Sequence, residues 1–164
     1  MAPTIQNGIG SSNQNMLSIL GELQKGVTDC LFNTGGLAIG SSAKAKVLIA
    51  NTIYASINGV LVKKTTAEIA LAGTVVADTF NVFVLSLAAD GTVTATMGTA
   101  GATIGAVVFP ALPAGDVMIG FVIINPTGTG NFVGATTDLD DATVAPNAVY
   151  VNSPFCVNPN ALAL

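Results

Sequence analysis

Eight consecutive residues, Val117-Met118-Ile119-Gly120-Phe121-Val122-Ile123-Ile124, carry no charged or hydrogen-bonding side chain. A second run, Val82-Phe83-Val84-Leu85, is alike. Both are too short for a membrane-spanning helix, which needs about 20 largely apolar residues. Both favour strands, because β-branched and aromatic side chains pack well on a pleated surface. An antiparallel strand with one wet face alternates apolar and polar residues. These two do not alternate, so each must be covered on both faces. The domain core supplies one cover. The other must come from an N-terminal helix or from another subunit.

Turn signals set the spacing of the remaining strands. Asn58-Gly59, Ala72-Gly73, Asp90-Gly91, Gly98 to Gly101, Pro113 to Asp116 and Asn125 to Asn131 break the chain into short segments. Asn-Gly and Asp-Gly suit type I′ hairpin turns, whose two central residues need positive φ. The predicted strands are 47–57, 60–64, 67–71, 79–88, 92–97, 104–109, 116–124, 132–136 and 148–151. Short strands at this spacing indicate a β-sandwich or barrel.

Before residue 37 the pattern differs. Met16, Leu20, Leu23, Val27 and Leu31 (or Cys30) recur at helical steps, with Ser12 or Asn13 as N-cap and Gly35-Gly36 as terminator. Gly21 and Gly26 each weaken such a helix by about 1 kcal/mol relative to Ala, so it must pack on something. It either lies on its own domain or forms a seam between copies through Met16, Leu20, Leu23 and Val27. The division expected is an arm and amphipathic helix over 1–36, a β-sandwich over 37–151 and a tail over 152–164.

Composition excludes several kinds of chemistry. Only 9% of residues are charged, against 51% hydrophobic. The five basic residues are all Lys, and none follows Lys64. Nucleic-acid binding needs Lys and Arg against phosphate, with aromatic rings to stack bases; no nucleic-acid partner is expected. With no His, a Ser–His or Cys–His pair is impossible. Cys30 and Cys156 lack the CxxC spacing of a zinc or redox site, and are read as buried or interface thiols, with a disulfide as the alternative. Gly128-Thr-Gly130 to Gly134 runs into a strand pattern, where phosphate binding needs a helix N-terminus. Asp138, Asp140 and Asp141 lack the glycine and terminal Glu of an EF-hand and read as a solvated acidic turn. The expectation is a protein without catalytic residues, metal or cofactor. It has no apparent signal or span, does not engage a membrane, and is made in a cytoplasm.

One stretch has a familiar form. Asp90-Gly91-Thr92-Val93-Thr94, then Val107-Val108-Phe109-Pro110-Ala111-Leu112-Pro113-Ala114-Gly115-Asp116, lead into the apolar strand Val117 to Asn125. This "LPAG" turn before an "IG" strand resembles a pattern of virion structural proteins of tailed bacteriophages. Thr52-Ile53-Tyr54 to Lys64 resembles the start of the same module. Phe132 to Asp138, Val149 to Val151 and Ser153-Pro154 resemble its end. The likeness spans roughly 45–155 and implies a capsid decoration (cement) protein: a mainly β, antiparallel, jelly-roll-like sandwich. Such a protein is non-catalytic, forms an oligomer (most often a trimer, alternatively a dimer), sits on the virion's capsid surface and binds the major capsid protein. The helix at 12–31 does not map onto that pattern. The two ends read as docking arms, with Ile5, Ile9, Leu162 and Leu164 as anchors. The alternatives are a head-fibre base, a tail or tail-fibre component, and a non-viral glycan-binding or adhesion sandwich. The last is disfavoured by the absence of Trp.

Overall fold

The structure is a computed structural model that describes residues 29–126 and 128–153. Those residues are mainly β, in several antiparallel sheets. The first half is a meander of three long strands, each bent in the middle. The first comprises β1 (Cys30–Leu31) and β2 (Leu37–Ile39). The second comprises β3 (Lys46–Ile49) and β4 (Ile53–Ile57). The third comprises β5 (Val60–Lys64) and β6 (Ala67–Ala70). On one side of the bend the order is β1-β4-β5, and on the other it is β2-β3-β6.

The bends explain why the expected single strand over 47–57 is two. Backbone bonds from Ala50 and Asn51 to the carbonyls of Gly36 and Gly35 carry the pairing round the corner. Asn33 stands in for a strand residue there: its amide donates to the Thr52 carbonyl at 2.7 Å, and its oxygen accepts from the Tyr54 N–H at 2.8 Å. Asn58 and Gly59 have φ of 50° and 75°, so the β4–β5 turn is the expected I′ form.

The second half follows β7 (Thr74–Val75). Its strands are β8 (Asn81–Leu87), β9 (Val93–Met97), β10 (Val117–Ile124), β11 (Phe132–Val133) and β12 (Val149–Asn152). A four-stranded sheet runs β12-β10-β8-β9, and β11 pairs with β7. At the β8–β9 turn only Gly91 has positive φ, and its N–H reaches the Ala88 carbonyl. This is a type I turn closed by a left-handed glycine in a three-residue loop, not the expected I′ turn.

One core joins the two halves. It includes Ile49, Ile53 and Ile57 from the meander, Phe83, Leu85 and Leu87 from β8, Ile119, Val122 and Ile124 from β10, and Phe132. Phe83 meets Phe132 edge to face at 6.1 Å. A bulge in β10 at Ile119 places two successive residues, Ile119 and Gly120, toward this core. Gly35 leaves the space that Ile119 occupies: a Cβ there would lie 2.7 Å from the isoleucine methyl. Buried Asn81 is satisfied by the Gly98 carbonyl at 3.1 Å and the Val82 N–H at 2.8 Å. Asn152 accepts from the Leu37 N–H at 2.8 Å and joins β12 to β2.

Two expectations are corrected. Residues 104–109 form no strand. They make a single 3₁₀ turn, Ile104–Ala106, followed by one bridge between Val108 and Thr99. The helix pattern cannot run as far as Leu31, because Cys30 and Leu31 are extended and paired with Ser56 and Ala55. The rest of that pattern lies outside the described residues. β1 also extends the paired framework to residues before 37.

Candidate interaction surface

The apolar outer faces of the strands receive different treatment in the two halves. On the four-stranded sheet, Val82, Val84 and Met118 are buried under Val107, Phe109 and Leu112 of the segment between β9 and β10. Phe109 packs edge to face on Phe121 of β10, with ring centres 4.9 Å apart and planes at 88°. The cover required by the unbroken apolar runs is thus a strap from the same chain. Where the strap ends, Asp116 accepts from the Ser86 hydroxyl at 2.8 Å, and Ser86 also bonds Thr94.

The sheet β1-β4-β5 has no such strap among the described residues. Its inner row is Leu31, Ala55 and Val62, all buried. Strand alternation sends the intervening residues outward. One outer row is Phe32, Tyr54 and Lys63, and the next is Cys30, Ser56 and Leu61. Leu61 is 79% exposed, Phe32 54% and Tyr54 49%. The Lys63 amine lies 6.0 Å from the centre of the Tyr54 ring. At one end of the sheet, the Asp29 carboxylate accepts from the Asn58 N–H at 2.8 Å and fixes where the chain enters.

The residues with perturbed titration are tied to turns, not gathered in a site. Backbone N–H groups hold three carboxyls below the usual range: that of Ser42 acts on Glu68, that of Thr92 on Asp90, and those of Val144 and Thr143 on Asp141. Lys44 pairs with Asp140 at 2.6 Å, and its pKa is raised by that hydrogen bond and charge. The acidic run at 138–141 is therefore divided among tasks: Asp140 in the ion pair, Asp141 capping the turn at 143–144. Among the described residues no group of three His, Cys, Asp or Glu could hold a metal ion. A shallow depression of about 320 Å³ is walled by Ile39, Leu139, Pro146, Ala148 and Tyr150. The Tyr150 hydroxyl is closed off from solvent and has no hydrogen-bond partner among the described residues. Burial, with a smaller push from Asp140, raises its pKa to about 12.

Cys30 is a half-buried free thiol beside Ser56, and Cys156 lies outside the described residues. The expected seam residues Met16, Leu20, Leu23 and Val27, and the expected arm anchors Ile5, Ile9, Leu162 and Leu164, also lie outside them. Phe32, Tyr54 and Leu61 were not singled out by sequence, although the alternation of Ile53, Ala55 and Ile57 against Tyr54 and Ser56 contains the signal for Tyr54. No helix among the described residues is long and apolar enough to cross a membrane. Comparison with known protein families, curated proteins and solved structures finds no match to this chain.

Proposed function

We propose that this chain is a non-catalytic structural protein of a phage virion, which binds the outside of the capsid as an oligomer and stabilises the shell. The observation that carries this reading is the surface. Large apolar side chains stand in solvent on several sides of the molecule: Leu61, Val108, Ile104, Val76 and Phe32 are each more than half exposed. Few charges separate them, since only 9% of residues are charged. A charge-poor surface with exposed apolar residues associates readily. Such a surface suits a component whose working state is an assembly. Apolar burial contributes about 25 cal/mol per Å² removed from water, and a shell multiplies each contact by its symmetry. The likeness of 45–155 to phage virion modules points the same way.

The partner in this reading is the major capsid protein, reached through the arms at 1–11 and 152–164, with a trimer as the repeating unit. In form, the reading is an antiparallel, jelly-roll-like sandwich, supported by pairings between strands distant in sequence, β7 with β11 and β8 with β10. The test is to mix purified protein with phage shells assembled without it, sediment them, and heat the product. Co-sedimentation with a raised shell-disruption temperature is expected. A stable oligomer that stays in the supernatant would overturn the capsid reading in favour of a tail or fibre part.

A further inference from the structure

We propose that strand β5 is a pairing edge for a second copy of this chain, which joins it antiparallel about a two-fold axis at Val62. The longer edge strands elsewhere have neighbours: β12 is tied to β2 by the Asn152–Leu37 bond, and β6 lies beside β9. Among the described residues β5 has a strand on one side alone, β4. Its open side can be read residue by residue. The Tyr54 N–H and C=O turn toward β1, where Asn33 and Phe32 take them. In an antiparallel pair, bonded and non-bonded positions alternate. Ile53, Ala55 and Ile57 therefore exchange bonds with Lys64, Val62 and Val60, and the backbone groups of Leu61 and Lys63 point outward. Among the described residues nothing bonds these outward groups.

The two outward residues flank Val62 and define their own partner. About a two-fold there, Leu61 meets the partner's Lys63 and Lys63 meets the partner's Leu61, and each pair exchanges both backbone bonds. Lysine on an edge usually repels a second strand. Here the Lys63 amine lies 6.0 Å from the centre of the Tyr54 ring on β4, away from the open side. In the joined sheet Lys63 and Lys64 lie opposite the partner's Leu61 and Val60, so no like charges are directly opposed. Strand pairing takes up backbone groups, so Phe32 and the outer face of Leu61 stay available to a shell. The proposal rests on the reading of this chain as an oligomer. A two-fold contact links copies in pairs and is separate from the three-fold contact of a trimer.

Cysteine pairing reads the register in the full-length chain, with Cys30→Ser and Cys156→Ser as background. Val62→Cys places two thiols at a non-hydrogen-bonded position on the axis, with Cα atoms about 4.5 Å apart, within the span of a disulfide. Val60→Cys places them about 14 Å apart along the ladder, beyond that span. Oxidation with diamide should give covalent dimers from Val62→Cys and severalfold fewer from Val60→Cys. Equal yields, or none from either, overturn the proposal. Leu61→Pro removes the outward N–H without breaking a bond to β4. The mass by light scattering should fall by half, with the β-rich circular dichroism retained. An odd-numbered assembly of the unaltered chain, or an unchanged mass in this variant, overturns the proposal. Shell binding is scored separately. Shells bound by a chain that does not link at position 62 would keep the capsid reading and overturn this contact. Linked dimers that bind no shell would support the contact and overturn the capsid reading.

Discussion

The outer face of the four-stranded sheet is roofed by residues 98–116, with Phe109 seated on Phe121, whereas the outer face of β1-β4-β5 leaves Phe32, Tyr54 and Leu61 in solvent. Both faces carry large apolar side chains, the second beside Ser56 and Lys63, and both sheets share one core. The difference lies in the connections. The β9–β10 link is long enough to cross back over its own sheet. The β4–β5 link is a two-residue turn that cannot. A face left bare by its own connections needs an occupant from the ends of the chain or from a neighbour. Local topology therefore marks which face the described residues leave open.

The comparison breaks most severely at Gly120, where β10 lies close against β12 and the Leu37 side chain of β2. A methyl there would run into the Val151 carbonyl oxygen and sit 2.8 Å from the Leu37 side chain. Backbone cannot yield as a side-chain tip can, so Gly120→Ala should destabilise by about 3 kcal/mol, the upper end for overpacking. Urea unfolding checks it. Phe109→Ala strips the roof from the four-stranded sheet while leaving the main core untouched. A loss of about 2 kcal/mol is expected, within the range for burying one large apolar side chain, together with new binding of an apolar dye. Leu61→Ser lies on the bare face at 79% exposure. Its effect on the stability of the described fold should stay within about 0.5 kcal/mol, and any effect should fall on association instead.

The smallest effect concerns alkaline pH. The Tyr150 phenol is raised from 10.0 to about 12 in the fold, mainly by burial. A group raised on folding stabilises fully below its unfolded pKa, and that contribution is lost as pH climbs through the folded value. Stability should therefore decline between pH 10 and 12, and Tyr150→Phe should flatten that limb. An unchanged alkaline limb in the variant would assign the decline to other groups. The side chain is only part-buried, so the change is a modest slope in thermal midpoint against pH.

Much of the framework was legible in the sequence because it rests on short-range chemistry. Asn58-Gly59 specifies its turn, residues 60–64 form the expected strand, and the double-faced runs at 82–85 and 117–124 became the centre of the four-stranded sheet. What escaped depends on contacts across the chain. The bend at 50–52 is set by Gly35, Gly36 and Asn33, which lie at least 14 residues earlier. β2 and β7 carry too few residues to show a period. Residues 104–109 have the apolar content of a strand, but their backbone serves as a strap over Val82, Val84 and Met118, and tertiary packing overrides propensity there. The cover for 117–124 was sought in a helix or a second subunit and came from this strap. Phe32 was hidden by its position next to Cys30 and Leu31, which close the expected helical stripe but pair as strand β1.

Electron cryomicroscopy of the virion, compared with particles lacking this chain, tests the central claim most directly. The account predicts a difference density on the outer capsid surface, repeated at symmetry-related junctions between capsomers, that accommodates the β domain. Density confined to the tail or to a fibre, or no difference at all, would contradict it.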